Sequence, residues 1–352
     1  MQVRQFECEN SPLPLFMLYY NNEKCKLLYY TERRLIMVKF FLVSILSLTS
    51  YVKTSSASPP QVTTDIAPVF GLVAQVMQGV GTPSLIIRPG SDAHHYNLRP
   101  SEAENIQKAD AIFWIGTELT PWLETALTNL AVNAKKISLL DTPDITILET
   151  GKHGHHHSGS PQHSNDDHDK HDDHDKHDER NLIDAHAWLD PENARIWLKV
   201  IAEELSLLNP ENSEIYKTNA TKAANTVIDL ENRIRKILAS PNMPPVFVQH
   251  AAFAYFENYF NFELAGALYD RENEPPSATH ISKLHELTKN TAKACLLAES
   301  SIENNVIASV FEHTDLLVQE VNPSGVRGSV SNLAYFELLT ALADSLQNCA
   351  QH

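Results

Sequence analysis

The sequence lacks the short patterns that announce a nucleotide pocket, a serine nucleophile or a metalloprotease helix: no GxSxG, GxGxxG, Walker A or HExxH string occurs along its 352 residues. Basic charge is in deficit, with 28 Lys and Arg against 44 Asp and Glu and a net charge of −16. That balance excludes nucleic acid as a partner and favours a cation. Long hydrophobic stretches are also missing: the apolar run near the N-terminus, Phe40 to Leu48, is too short to span a bilayer. Cysteine is sparse. Of the four cysteines, Cys8 and Cys25 precede Met37, leaving Cys295 and Cys349 as the only pair further along.

The N-terminal region reads as a targeting segment. Arg33, Arg34 and Lys39 precede the run from Phe40 to Leu48, and small residues follow at Ser55 and Ala57. A basic start, a short apolar middle and a small-x-small end make a secretory signal peptide within residues 1–58, so the expected compartment is the periplasm. Residues before Met37 read as an upstream extension with no assignable role. In an exported protein the even pair Cys295 and Cys349 reads as a disulfide, with two buried free thiols as the alternative. Closing a loop of that length contributes about 4 kcal/mol in the chain-entropy treatment.

What remains has the composition of a globular chain, with 43% hydrophobic and 20% charged residues, and a length that suggests two domains. Strand-like and helix-like segments alternate. Val62 to Ile66, Ser84 to Ile87, Ala111 to Ile115 and Lys136 to Leu140 read as strands, with helices over Pro68 to Val80, Pro100 to Lys108 and Pro121 to Asn133 between them. Pro191 to Leu208 reads as a helix, and Pro210 to Leu238 as the longest one, uninterrupted by Gly. A helix of about 25 residues spans nearly 40 Å and suits a strut between domains. A second set follows: strands at Val246 to His250, Phe262 to Ala265, Ala294 to Ala298 and Leu316 to Gln319, helices at Ala254 to Phe260 and Ile281 to Thr291, and a closing helix at Val330 to Asn348. Such alternation implies βαβ units and parallel sheets. The expected organisation is an N-terminal α/β domain over 59–209, a linking helix over 210–240 and a C-terminal α/β domain over 241–352. No internal sequence repeat is convincing, only a repeated element order.

Histidine is where the chain is rich. From His153 to His177 it reads HGHHHSGSPQHSNDDHDKHDDHDKH, and no Val, Ile, Leu, Phe, Tyr or Trp lies between Lys152 and Asn181. Such a tract cannot bury apolar surface against its conformational entropy and reads as a solvated loop over 152–180. Its His153, His155, His156, His157, His163, His168, His171, His174 and His177, alternating with Asp, suit borderline divalent cations as weak sites, zinc foremost. The bland alternative is an inert acidic linker. Three further histidines sit among structured residues: His94 after a strand, His186 just past the loop, and His250 at a strand end. Ligands collect at the carboxyl ends of strands in parallel sheets. Taken singly, each is more readily a hydrogen-bonded structural residue; together, three imidazoles with one open position make a zinc arrangement.

The stretches GSDAHHYNLRPSEAENIQKADAIFWIG, HAWLDPENAR and VFVQHAAFAYFENYF, with the late Cys295 and Cys349, resemble the zinc-specific periplasmic binding proteins of bacterial ABC transporters, the ZnuA type of the cluster A-I group. The resemblance runs from Val62 to Cys349 and includes the acidic His-rich loop. It implies two (βα) domains with parallel sheets joined by one long rigid helix, with Zn2+ carried in the interdomain cleft. It further implies His94, His186 and His250 as ligands, a Cys295–Cys349 disulfide, and an inner-membrane permease with its ATPase as partners of a monomer.

Where some relatives carry a glutamate before the first histidine this chain has Ala93, so water, Asp92, His95 or a loop histidine could fill the fourth position. Manganese-binding relatives use a late aspartate where this chain has Asn322, and tend to carry glutamate in place of His250; nitrogen ligands and one fewer carboxylate favour zinc. Asn322 is equally a turn residue before Pro323. Glu299, at a strand end, either supports a histidine or is merely solvated. Tyr96 and Trp188 read as packing beside their histidines, and Phe113, Trp114 and Trp122 as core. Three functions remain to be told apart: zinc capture for delivery to a permease, periplasmic zinc buffering or chaperoning without a transporter, and zinc-dependent hydrolysis, which needs a general base that only Glu299 or Asp92 offers.

Overall fold

In the computed structural model, residues 58–150, 183–269, 276–299, 304–325 and 330–352 are described. The first sheet contains β1 (Val62–Thr64), β2 (Ser84–Leu85), β3 (Ala111–Trp114) and β4 (Lys135–Ser138) in the order β2-β1-β3-β4. The second contains β5 (Val246–His250), β6 (Gly266–Tyr269), β7 (Lys293–Ala298) and β8 (Asp315–Glu320) in the order β6-β5-β7-β8. Every pairing in both sheets is parallel. The inner strands β1, β3, β5 and β7 are almost wholly buried. Of these, β3 and β7 are almost entirely apolar, as strands covered on both faces tend to be, whereas β1 carries the buried Thr63 and Thr64 and β5 ends in Gln249 and His250.

Nine α-helices surround the sheets among the described residues: α1 (Ala67–Val76), α2 (Pro100–Lys108), α3 (Pro121–Leu130), α4 (Pro191–Leu208), α5 (Ser213–Leu238), α6 (Ala254–Phe260), α7 (Ala278–Thr288), α8 (Asn304–Val310) and α9 (Ala334–Gln351). Several begin where the sequence supplies the chemistry. The Asp190 carboxylate accepts from the Glu192 amide at 2.8 Å, capping α4 with Pro191 in its first turn. Glu102 reaches back to the Arg99 amide at 2.8 Å and caps α2. No helix among the described residues is long and apolar enough to cross a membrane.

The two sheets repeat a local device as well as an order. In the first, Val62 pairs with Ala111, and Asp65, three residues on, accepts from the Ile115 amide at 2.7 Å. In the second, Val246 pairs with Cys295, and Gln249, three residues on, accepts from the Glu299 amide at 2.7 Å. Each clamp closes the gap between the two strands from which the chain leaves in opposite directions. Asp65 also accepts from its neighbour Ile66 at 2.7 Å and is fully buried, which pushes its carboxyl up to about 7.

The long helix is more than a strut. Tyr216, Ala220, Ala223, Val227 and Ile234 form a buried stripe along α5, at the spacing of one helix face. It packs against α4 and α1 of the first half and α9 of the second. Its first turn is separate: Pro210–Asn212 forms a 3-10 turn, and the α-helix proper starts at Ser213. The halves also meet elsewhere. A Cβ on Gly71 of α1 would lie 2.5 Å from the Tyr335 amide of α9, so glycine permits that close approach. The Tyr335 hydroxyl donates to the Trp188 carbonyl at 3.1 Å, and the Trp188 indole donates to the Pro323 carbonyl at 2.7 Å.

Three sequence expectations need correction. The strand expected at Phe262–Ala265 forms at Gly266–Tyr269. Asn261 is left-handed at φ 49°, and the Phe262 amide and Leu264 amide bond to the Glu257 carbonyl and carboxylate, so these residues finish α6 instead. The closing helix starts at Ala334, because Ser331 takes the Leu333 amide in a turn. Helix α8 was not expected at all. Cys295 and Cys349 are disulfide-bonded, with Cα atoms 5.6 Å apart, tying β7 to α9. The signal segment, Cys8, Cys25 and the histidine tract lie outside the described residues.

Candidate metal centre

Three histidines from three parts of the chain converge. The His94 and His186 rings are 6.1 Å apart between centroids, and the His186 and His250 rings 5.7 Å. His94 follows β2 and its extension, Ile86 and Ile87, whose amides bond to the Thr64 and Asp65 carbonyls. His186 precedes a 3-10 turn at Ala187–Leu189, and His250 is the last residue of β5.

Two of these histidines share a local sequence, Asp-Ala-His. At the first copy, the Asp92 carboxylate accepts from the His94 amide at 2.8 Å. At the second, the Asp184 carboxylate accepts from the His186 amide at 2.9 Å. Aspartate bonding two residues ahead makes a tight turn that sets the following side chain. The copies then diverge. Asp184 also meets the His186 Nδ1 at 2.7 Å, whereas Asp92 meets the Nδ1 of the next residue, His95, at 3.1 Å. His95 has 84% of its side chain exposed and points outward.

Supporting contacts hold each imidazole. The Trp122 indole donates to the Ala93 carbonyl at 2.9 Å, fixing the backbone beside His94. The His250 Nδ1 meets a Glu299 carboxylate oxygen at 2.5 Å. With Nδ1–H given to the Asp184 carboxylate, His186 is left with Nε2 as the basic nitrogen, the arrangement in which an imidazole best serves a metal, and the Glu299 carboxylate stands beside the His250 ring. Burial, and then the neighbouring His186, push the His94 pKa below its ordinary value; His95 and His250 add to this and Asp92 opposes it. Burial first, and the neighbouring imidazoles after it, thus favour the neutral ring, the form that can bind metal.

Three imidazoles around one tetrahedral zinc place their ring centres about 5 Å apart. The observed separations exceed this by about 1 Å or less. Consistently, no group of three His, Cys, Asp or Glu among the described residues stands close enough to hold an ion as it is.

The other residues singled out in the sequence have defined employments. Asp92 serves its own turn, and His95 faces solvent. Asn322 accepts from the Ser324 amide at 2.8 Å, the turn role before Pro323. Glu299 supports His250. The nine tract histidines lie outside the described residues. Asp184 is the contributor that sequence reasoning missed, although the repeated Asp-Ala-His tripeptide was a signal that could have found it. Trp122, read as core, braces the first histidine. Tyr96 donates to Glu102 at 2.8 Å, holding the same loop onto α2.

Paired parallel α/β sheets with this element order define a fold shared with known binding proteins. The chain is similar to a protein whose crystal structure is described as ZnuA, at a TM-score of 0.64 and 21% identity, covering 83% of this chain and 98% of that one. It is similar also to the periplasmic zinc binding protein TroA from Treponema pallidum, at a TM-score of 0.65 and 18% identity, covering 83% and 99%. In sequence it is 36% identical over 317 residues to the high-affinity zinc uptake system protein ZnuA of Paracoccus denitrificans, covering 88% of this chain and 97% of that protein. The family described as ZnuA, zinc-uptake complex component A periplasmic, matches residues 62–349, and the chain belongs to it.

Proposed function

We propose that the protein captures Zn2+ in the periplasm and delivers it to an inner-membrane ABC permease, acting as a monomer without bond chemistry. The observation that carries this reading is the convergence of His94, His186 and His250, two of them with Nδ1 beside a carboxylate. Zinc is the cargo: three neutral nitrogen ligands favour it over manganese, which prefers oxygen. With three neutral ligands the ion keeps much of its charge, and water or a tract histidine completes the shell. Membership of a zinc-uptake family supports the transport partner, and the basic, then apolar, then small-residue order of residues 33–57 supports export.

Hydrolysis is disfavoured by the same geometry. An enzyme needs a general base aimed at the open position. Glu299 is committed to the His250 ring and Asp92 to its own turn. The tract from His153 to His177 is assigned a collecting role, with several weak and fast sites at the mouth of the tight one.

The test is a zinc titration of the purified protein, of His186→Ala and of a deletion of 152–179. Tight binding should survive the deletion while weak stoichiometry is lost, and should collapse in His186→Ala. Near-normal affinity in the histidine variant would overturn the proposal.

A further inference from the structure

The two flanks of the segment carrying the histidine tract meet at one point. Glu149 and Ile183 form an antiparallel bridge, and the Asp184 amide donates to the Leu148 carbonyl at 2.8 Å. In a regular antiparallel ladder the opposed pair Leu148 and Asp184 would exchange a second bond, from the Leu148 amide to the Asp184 carbonyl. Instead the Tyr255 hydroxyl stands between them. It accepts from the Leu148 amide at 3.0 Å and donates to the Asp184 carbonyl at 2.8 Å.

Tyr255 belongs to the other half of the molecule. It lies in α6, five residues beyond His250, and its side chain is fully buried. Burial pushes its hydroxyl up to about 12, so it remains a donor at any physiological pH. A buried hydroxyl that both donates and accepts is satisfied, and removing it strands two backbone groups or lets them close on each other.

We propose that Tyr255 is a positioning residue for the metal centre, wedging the Leu148–Asp184 pair open so that Asp184 holds His186 at the correct distance from His250. The inference rests on the zinc reading of the three imidazoles. The mechanical chain is short: Tyr255 fixes the Asp184 carbonyl, the Asp184 carboxylate fixes both the amide and the Nδ1 of His186, and the helix carrying Tyr255 follows directly on the strand ending at His250. One side chain therefore sets the spacing between two imidazoles that come from different halves.

The experiment compares Tyr255→Phe, which keeps the ring and its packing, with Tyr216→Phe. Tyr216 is equally buried, and its hydroxyl donates to Asn209 at 3.0 Å, away from the histidines. Both variants lose a buried hydroxyl and should lose comparable thermal stability. Only Tyr255→Phe should weaken zinc binding, by about tenfold, the scale typical of groups that orient a ligand. In the metal-free protein, 15N resonances of the His186 ring should show a shifted tautomer population in that variant alone. That second readout needs no metal, so it tests the wedge even if the zinc reading fails; His186→Ala titrated alongside tests the reading itself. Unchanged affinity and unchanged His186 tautomers in Tyr255→Phe would overturn the proposal, as would equal affinity losses in the two tyrosine variants.

Discussion

The two sheets have the same strand order, the same parallel pairing and the same clamp between their inner strands, yet only one of them ends in chemistry. At matched positions the first sheet has Ile66 and Ile115, both fully or nearly fully buried, where the second has His250 and Glu299. The clamp itself is Asp65 in the first and Gln249 in the second. On β3 the first has Ala111, where the second has Cys295 and its disulfide. A crevice between strands whose connections leave in opposite directions is available in both halves. The first fills it with apolar side chains and contributes its histidine from the loop after β2; the second fills it with an imidazole and a carboxylate. Topology offers a position, and the side chains placed there decide whether it is a core or a site.

That comparison can be broken in several places, beginning with the largest effect. Reducing the Cys295–Cys349 bond should cost the protein about 4 kcal/mol, read by urea unfolding with and without reductant. Zinc affinity at temperatures where the reduced protein is folded should stay the same, because the bond is made from Cys295 within β7, four residues before Glu299 beyond the strand's end. A large affinity loss on reduction would show that the disulfide shapes the site.

Next, His250→Ala should weaken zinc binding on the order of a hundredfold or more, equivalent to about 3 kcal/mol, with little change in unfolding midpoint. Its counterpart Ile66→Ala should do the reverse, costing about 2–5 kcal/mol of stability through the cavity it leaves and sparing affinity. Calorimetric titration and thermal melts on both variants give the answer; like behaviour of the two would dissolve the distinction.

The clamps differ in charge, and so in pH response. Folding raises the Asp65 carboxyl from 3.8 to about 7. Between those values the native state holds a proton that the unfolded chain has released. The contribution is therefore complete below pH 4 and fades as pH climbs to about 7, a change on the order of a few kcal/mol. Stability of Asp65→Asn relative to the native sequence should accordingly rise over that window, whereas Gln249 contributes no such slope. A difference that stays flat from pH 4 to 7 in denaturant titrations would refute this account of Asp65.

The smallest effect concerns Glu299. Glu299→Gln retains the shape but not the charge against the His250 Nδ1, and should cost about tenfold in zinc affinity. Dissociation kinetics with a chelator would register it, and an unchanged off-rate would mean that Glu299 is only a neighbour.

Much of this was legible beforehand because it depends on local rules. Parallel strands covered on both faces tend to be apolar, so β3, β5 and β7 stand out as short β-branched or aliphatic runs. Helices α2 and α4 begin at Pro100 and Pro191, as helix starts are expected to. Where the rule was local but the partner was not, the reading slipped. Phe262 and Leu264 look like strand residues, but the Glu257 carboxylate and a left-handed Asn261 use them to end a helix.

The sequence by itself determined the βα alternation, the family resemblance and the three histidines, because hydrophobic period and residue type are properties of consecutive positions. Only the tertiary structure decided that Glu299 serves His250, 49 residues away in the chain. Asp92 and Asp184 begin identical tripeptides, and one turns to an exposed His95 while the other grips His186. Part of the difference is local, because the residue three places on is His95 after Asp92 and Ala187 after Asp184. Leu148 and Tyr255, distant in sequence, add contacts to the Asp184 backbone from the flank of the tract and from the opposite half, and such contacts exist only once the chain has folded.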